Sequence, residues 1–167
     1  MTDLWAISRP EWWARGFRES GVRRRRRETT AARCWTYRIE CGLPAVVEQS
    51  TERIVVLLLD GAIDAISAPV TPGVAAAQRL TSRGLVVPLI EHPRSHRVTF
   101  LTAAGLGPHP SQDRLVHLNV VVGGRSVVLP SPADERSGYR RWVQRPNRSQ
   151  PLPPMSTVLD ALTDGRP

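Results

Sequence analysis

Short β-strands account for the first regular hydrophobic pattern in the chain. From residue 34 onwards, apolar stretches rich in Val and Ile are separated by Gly, Pro, Asp and other turn residues. Stretches of this length and composition favour strands over helices. Four strands are predicted in this part: CWTYRIE (34–40), AVVEQ (45–49), TERIVVLLLDG (51–61) and AIDAISAP (62–69), the last as a separate strand or as an extension of the third.

The segment TPGVAAAQRLTSRG shows the pattern of a helix, predicted from about Pro72 to Ser82. Thr71 suits the N-cap, and proline is well tolerated at the first helical position. Apolar residues three apart line one face of this helix, and a glycine follows as a terminator. These residues are Val74, Ala77, Leu80 and Gly84.

The rest of the chain alternates between strands and turns and ends in a helix. Its best-defined motif, VHLNVVVGGRSVVLP, is interpreted as a hairpin with positive φ angles at Gly123 and Gly124, followed by a Pro-Ser-Pro loop. Further elements are the strands LVVPLIEH (85–92), HRVTFLTA (96–103) and YRRWVQRP (139–146), and a C-terminal helix MSTVLDALTD (155–164) capped by Ser156. This order predicts an α+β fold with a mixed or largely antiparallel sheet, one central helix and a C-terminal helix.

Charge divides the chain into a basic arm and a domain. The 167 residues carry a net charge of +8, and all 23 basic residues are arginine. Residues 1–33 are predicted to be a basic, mobile arm, and residues 34–167 a single domain. An uninterrupted run in the arm consists of Arg23, Arg24, Arg25, Arg26 and Arg27. We interpret this run as a solvated tail or misassigned start, as a contact to a nucleic-acid backbone, or as a contact to a membrane surface.

Cysteine content and hydropathy indicate the cellular compartment in which the protein is expected. Cys34 and Cys41 fit neither a disulfide framework nor a zinc site. We expect reduced thiols in the cytoplasm, with a local disulfide as the alternative. The start of the chain lacks the basic-then-apolar pattern of a secretory signal. The apolar run IVVLLL (54–59) is far too short to span a bilayer, so no membrane partner is expected.

Acidic and histidine side chains beside the buried strands are candidates for metal-dependent catalysis. Asp60, Asp64 and His96 are the residues concerned. A two-metal site for phosphoryl transfer needs clustered carboxylates, which the two aspartates could supply from one strand. Both aspartates also suit turns at a strand end. We predict no metal site and no cofactor, with magnesium or manganese expected only if the chain is catalytic.

An arginine-rich stretch with aromatic residues is the candidate nucleic-acid surface. The sequence SGYRRWVQRPNR (137–148) contains Arg140, Arg141, Trp142 and Arg145. Aromatic rings and guanidinium groups bind single-stranded nucleic acid through stacking and backbone charge. The alternative is an edge strand whose charges prevent aggregation.

The pattern GGRSVVLPSP…SGYRRWVQRP…LPP resembles the bifunctional DNA primase/polymerase (Prim-Pol) domain, a branch of the archaeo-eukaryotic primase superfamily. The resemblance covers roughly residues 45–163, and the arginine-only composition suits short actinobacterial members. It implies a primase/polymerase-like fold in which the Pro-Ser loop and the Ser-Gly-Tyr strand close the substrate-facing side of the sheet. It also implies DNA primase/polymerase-type nucleotidyl transfer with magnesium or manganese.

The metal-binding motifs of that family are altered in this chain. Ile66 stands where the family has the second acid of an Asp-x-Asp motif beginning at Asp64. Arg97 holds the place of the motif histidine, and His96 is one residue away. Asn119 holds the place of the acid before the Gly-Gly turn. Without these ligands the two cations have no site, and nucleotidyl transfer should be lost.

The sequence therefore predicts a non-catalytic Prim-Pol-like domain that binds nucleic acid or nucleotide through an arginine-rich surface. One alternative is an active nucleotidyltransferase, which requires Asp60, Asp64 and His96 to lie within reach of one metal. The other is a protein-interaction module with an unknown partner and no nucleic-acid role. Dispersed arginines and a buried Trp142 would favour this module, whereas a continuous arginine face with an exposed Trp142 would favour nucleic-acid binding.

Overall fold

Eight strands form two antiparallel sheets in the described part of the computed structural model, which comprises residues 28–58, 61–105 and 112–164. The helices are α1 (Thr30–Ile39), α2 (Val70–Ser82), α3 (Gln112–His117), α4 (Pro132–Ser137) and α5 (Met155–Thr163). The strands are β1 (Ala45–Glu48), β2 (Arg53–Leu57), β3 (Ile63–Pro69), β4 (Leu89–His92), β5 (Arg97–Ala103), β6 (Val121–Val122), β7 (Ser126–Leu129) and β8 (Arg141–Gln144). The three-stranded sheet has the order β1-β2-β7, and the five-stranded sheet has the order β6-β3-β5-β4-β8. The predicted α+β class, with a central and a C-terminal helix, is confirmed.

Alternation along β5 divides the interior into two cores. Val98 and Phe100 point to one face of the five-stranded sheet, where helices α2 and α5 pack. Leu101 points to the opposite face and packs with α1 and the three-stranded sheet. A central strand must be apolar on both faces when both are covered, because successive side chains point to opposite sides. The five-stranded sheet is therefore buried on both faces around β5.

Helix α2 follows β3 directly, which explains where it begins. The prediction of a helix over residues 72–82 is confirmed, but Thr71 is not its N-cap. Pro69 holds that position, and the Val70 backbone N–H donates to the carbonyl of His96 at 2.9 Å. This bond occupies one of the amide groups that a helix N-terminus leaves without an intrahelical partner. Gly84 has a φ of 77° just after the helix, as its predicted role as terminator requires.

Gly73 brings α2 close to β5, and we expect Gly73→Ala to destabilise the fold by about 1–2 kcal/mol. A Cβ atom at this position would lie 2.2 Å from Cγ2 of Val98, a fully buried side chain. Valine is stiff at χ1, so it cannot move aside cheaply. The clash should outweigh the gain of up to about 1 kcal/mol that alanine has over glycine in a helix.

The matched control for Gly73→Ala is the same change in a Val98→Ala background. There the clash is absent, and the alanine should be neutral or stabilising relative to the Val98→Ala single variant. Urea unfolding of the four proteins measures both differences. An equal loss of stability in both backgrounds would contradict the close approach of α2 to β5.

The first predicted strand, CWTYRIE, is wrong because these residues lie in α1 and the turn after it. Thr29 caps the helix, since its side chain accepts a hydrogen bond from the Ala32 backbone N–H at 3.2 Å. Cys34 and Tyr37, three residues apart, point to the core as helical spacing requires. The predicted boundary between residues 33 and 34 falls inside this helix, and residues 1–27 lie outside the described part. Cys34 and Cys41 are free thiols.

The predicted Gly-Gly hairpin is also wrong, because its two strands belong to different sheets. Strand β6 pairs with β3, whereas β7 pairs with β2, and residues 112–117 before β6 form helix α3. The positive φ angles are confirmed, at 74° for Gly123 and 134° for Gly124. The Gly123 N–H donates to the Ala65 carbonyl at 2.8 Å, so the chain leaves the edge of β3 here and crosses to the other sheet.

The Pro-Ser-Pro segment leads into helix α4 rather than forming a simple loop. The Ser131 hydroxyl accepts a hydrogen bond from the Asp134 backbone N–H at 3.1 Å, and the Asp134 carboxylate accepts one from the Ser131 backbone N–H at 3.0 Å. This reciprocal capping box fixes the start of the helix. At the C-terminal helix α5 the N-cap is Pro154, not Ser156. Among the described helices, none has the length and apolar character needed to cross a membrane.

Candidate nucleic-acid interface

The candidate catalytic residues in the described part of the chain lie far apart. Asp64 stands near the start of β3, opposite Thr102 of β5. His96 precedes β5 at the other end of this strand pair, where β5 begins opposite Pro69. Strands rise by about 3.3 Å per residue, so roughly 20 Å separates the two backbone positions. Asp60 lies outside the described residues. The geometry therefore gives no support to a shared metal for Asp64 and His96.

The described residues contain no group of three or more His, Cys, Asp or Glu side chains placed to hold a metal ion. At the three altered motif positions, Ile66 is fully buried in the core formed with α2 and α5. Arg97 and Asn119, by contrast, contact each other. Their Nη1–Oδ1 distance is 3.1 Å. An arginine and an amide thus meet where the Prim-Pol resemblance implied metal ligands.

The Arg97 guanidinium joins three chain segments at one end of the five-stranded sheet. It starts from β5 and donates to the hydroxyl and the carbonyl of Ser67 on β3, both at 2.9 Å. It also donates to the Asn119 carbonyl, at 2.9 Å, in the turn before β6. All these acceptors are uncharged oxygen atoms. The contacts orient the guanidinium without neutralising its positive charge.

The arginines of the predicted surface are held in ion pairs. Arg140 is 8% exposed and donates to the Asp134 carboxylate at 3.2 Å. Arg141 pairs at 2.5 Å with Glu91, a carboxylate only 2% exposed. Arg145 is exposed and lies 3.4 Å from a Glu135 oxygen. The predicted run of Arg23, Arg24, Arg25, Arg26 and Arg27 lies outside the described residues. Most of the contacts made by the SGYRRW stretch are therefore internal.

Trp142 points towards the core rather than offering a ring for stacking. Its Nε1 donates to the Tyr37 hydroxyl at 2.8 Å, and the two rings meet edge to face with centroids 5.9 Å apart. It packs half-buried against the core that contains Tyr37 and Ile90. An aromatic residue in an alternating strand is equally able to face inwards, and here the partner on α1 determines the direction. Stacking on Trp142 would require this contact to break.

A cationic end of the five-stranded sheet is formed by Arg94, Arg97 and Arg140, together with Tyr139 and His92. The Arg94 and Arg140 guanidinium carbons lie 4.8 Å and 5.3 Å from the centroid of the Tyr139 ring, which is 41% exposed. Such distances are within the range of cation–π attraction. The buried Nε of Arg140 has no hydrogen-bond partner among the described residues. The cationic end thus combines positive charge, an exposed ring and an unused donor.

His92, partly buried at the cationic end, has a lowered pKa. Burial, followed by the positive charges of Arg140 and Arg97, lowers the pKa of His92 to about 4, against a smaller opposite effect of Asp134. The ring is therefore neutral at physiological pH, and it shares a hydrogen bond with Thr99 Oγ1 at 2.9 Å. Below the unfolded-state pKa near 6.5 the unfolded chain binds a proton that the folded chain excludes. Folding stability from this residue is therefore lost as the pH falls from about 6.5 towards 4.

The predicted stretch SGYRRWVQRPNR contains Tyr139 and Arg140 of the cationic end, but Arg94, Arg97 and His92 were not predicted as binding residues. Arg94 lies in the HPRS turn between β4 and β5. Tyr139 was read as part of a strand, but β8 begins after it, at Arg141. The available signal was an arginine in a turn beside buried strands. Only the tertiary fold shows that this turn faces the SGYRR segment.

The comparisons with known proteins add no relative: no protein-family model matches the chain, and neither the curated proteins nor the solved structures include a significant match.

Proposed function

We propose that this chain is a non-catalytic binding domain for phosphate-bearing ligands, namely single-stranded nucleic acid or a nucleotide. Its phosphate contacts are made at the cationic end of the five-stranded sheet. The Prim-Pol resemblance supports the class of ligand, while the altered motif positions argue against nucleotidyl transfer. The two reduced thiols are compatible with a cytoplasmic location, which we include in the proposal.

The observation that carries the proposal is the charge balance of the cationic end. The guanidinium groups of Arg94 and Arg140 both lie against the Tyr139 ring, and Asp134 is the acid that contacts Arg140. Arg97 begins the neighbouring strand β5 and has no carboxylate partner among the described residues. Arginine binds phosphate through charge and through fixed N–H donors.

A protein-interaction module is the second candidate, and one observation favours it. The outer face of the three-stranded sheet exposes Val46 by 43% and Leu57 by 50%. Exposed apolar side chains on a sheet face are typical of contact surfaces when they form a patch. This candidate also agrees with the ion pairing of Arg140 and Arg141 and with the inward-facing Trp142, the features expected of an interaction module. It does not account for the two guanidinium groups of Arg94 and Arg140 against the exposed ring of Tyr139, and it therefore comes second.

Arg94→Ala tests the proposal. We expect it to weaken binding of a fluorescently labelled single-stranded oligonucleotide about three- to tenfold and to reduce the steepness of the salt dependence by about 0.7, the effect of one phosphate contact. Fluorescence anisotropy across a salt series measures both quantities. The matched control is Arg83→Ala, an exposed arginine at the end of α2 that pairs with Asp164. Equal losses in both variants would contradict a localised phosphate site.

A further inference from the structure

Trp35 is a solvent-exposed tryptophan that none of the contacts described above explains. It lies on α1 and is 59% exposed, whereas Cys34 and Tyr37 of the same helix are buried. Ile39, one turn further on, is 46% exposed on the same side of the helix. Trp35 and Ile39 therefore form one exposed apolar surface on α1.

Arginine side chains surround the C-terminal half of α1. Arg38 is exposed on the helix itself. Arg148 is exposed, and its Nη1 donates to the carbonyl of Ile39 at 3.3 Å. Arg145 is exposed and lies near enough to Cys41 to lower the pKa of that thiol, although burial raises it overall. Glu40 is the exposed acid of this region. Arg38 therefore shares the exposed face of α1 with Trp35, three residues before it, and Arg148 lies at the end of the helix beside Ile39.

Strand β8 connects this helix to the cationic end. Arg140 precedes the strand, and Arg145 follows it. Five residues of extended chain correspond to roughly 17 Å. Because β8 is an edge strand of its sheet, one of its sides is not covered by a neighbouring strand. A flexible chain of phosphates could therefore contact both ends of β8 at once.

We infer that the exposed face of α1, with Trp35 as its stacking ring and Arg38 and Arg148 beside it, is a second contact surface for single-stranded nucleic acid. The inference rests on the proposed function and narrows its ligand to a polymer rather than a mononucleotide. The bases stack on Trp35 while the backbone runs along β8 to the cationic end. Stacking on an aromatic ring needs no particular base, so the binding is independent of sequence.

The balance of exposed charge favours this occupant, because Arg38 and Arg148 are exposed at this face against the single acid Glu40 named above. Protein interfaces are depleted of Lys, Asp and Glu but enriched in Trp and Arg, so the residue types alone fit either partner. Here the apolar centre is one ring and one isoleucine, and arginines lie next to it. Single-stranded nucleic acid offers flat apolar bases together with negative phosphates, which is the matching chemistry.

The experiment compares Trp35→Ala, Trp35→Phe and the matched control Val116→Ala, an apolar residue on α3 that is 70% exposed. Each full-length protein is titrated with three labelled probes: a 12-nucleotide single strand, the same strand with abasic sites throughout, and a mononucleotide. We expect Trp35→Ala to weaken binding of the 12-nucleotide strand about five- to a hundredfold, with an unchanged salt slope. Trp35→Phe should retain most of the affinity. The abasic strand and the mononucleotide should not distinguish Trp35→Ala from the wild type.

Each contrary result has one meaning. If Arg94→Ala weakens binding and Trp35→Ala does not, the phosphate site at the cationic end is supported and the proposed contact surface on α1 is rejected. If the wild-type chain binds none of the probes at low salt, the proposed function fails, and the inference fails with it. If Trp35→Ala weakens binding of the abasic strand as much as binding of the normal strand, the ring does not stack on bases. If Trp35→Ala instead dissociates an oligomer in analytical ultracentrifugation, the face is a contact between copies of the chain. Circular dichroism melting confirms that the variants are folded.

Discussion

The affinity for single-stranded DNA is expected to fall by about three orders of magnitude for each tenfold rise in salt concentration. Each neutralised phosphate on a single strand contributes a slope of about −0.7, so four to five contacts give a slope near −3. The arginines available for these contacts include Arg94 and Arg97 at the cationic end, and Arg38 and Arg148 around α1. None of these four forms an ion pair with a carboxylate among the described residues, so their charges are available to a polyanion.

Two variants separate the contribution of phosphate contacts from that of base stacking. Replacing all five arginines of the run Arg23–Arg27 with glutamine should flatten it if the run contacts the backbone. Trp35→Ala should lower the affinity at every salt concentration without changing the slope, because stacking releases no counterions. An affinity that is equal at low and physiological salt would rule out phosphate contacts. The protein-interaction module would then be the better description.

The buried strands and helix α2 could be predicted from the sequence because local signals agreed there. In β3 and β5, β-branched and other apolar residues fill both faces and turn residues mark the ends. In α2 the proline, the apolar spacing and Gly84 all indicate the same helix. When composition, periodicity and termini are consistent, tertiary contacts have little left to decide.

Helix α1 was not predicted because its sequence fits both the helical and the strand periodicity of apolar residues. Cys34 and Tyr37 satisfy a helical spacing, while the alternation through Tyr37 and Ile39 also suits a strand. The deciding contacts are distant in sequence: the Tyr37 hydroxyl donates to the Pro130 carbonyl at 2.5 Å and accepts from Trp142. The Gly-Gly hairpin failed for a related reason. Local pairing of β6 with β7 competes with pairing to β3 and β2, and only the packed sheets decide between them.

The candidate site was predictable in its composition but not in its geometry. The SGYRR segment does supply Arg140 and Tyr139 to the cationic end. The sequence could not show that Arg141 pairs with Glu91, which lies 50 residues earlier. Nor could it show that Trp142 faces Tyr37, 105 residues away, whereas Trp35 faces solvent. Exposure of an aromatic ring depends on contacts of this kind, and a single sequence does not record them.

Tyr37 ties three parts of the fold together through one hydroxyl group. The side chain is fully buried on α1, and burial raises its pKa, so the phenol stays protonated and can donate. It donates to the carbonyl of Pro130, just before α4, and accepts from Trp142 on β8. The Arg33 guanidinium lies 3.4 Å from the same oxygen.

We therefore expect Tyr37→Phe to destabilise the protein by about 2–4 kcal/mol, although only one oxygen atom is removed. The change leaves the buried Pro130 carbonyl and the Trp142 N–H without their partner, and each such group costs about 1–3 kcal/mol. In a chain of this size the melting temperature should fall by roughly 5–15 °C. The matched control is Tyr139→Phe, which alters the other of the two tyrosines. The Tyr139 ring is 41% exposed, so water can replace any hydrogen bond of its hydroxyl, and the stability of the Tyr139→Phe protein should be unchanged.

Calorimetry and urea unfolding of a double-mutant cycle test the mechanism directly. Tyr37→Phe leaves the indole N–H of Trp142 without a partner, and Trp142→Phe removes that N–H. The two changes together should therefore lower the free energy of unfolding by less than the sum of the single changes. The shortfall should be about 1 kcal/mol or more, the cost of a buried donor without a partner. Strictly additive losses would mean that the hydroxyl and the indole do not share a hydrogen bond. A Tyr37→Phe protein as stable as the wild type would mean that Pro130 finds another donor, and α1 would then be held by apolar packing alone.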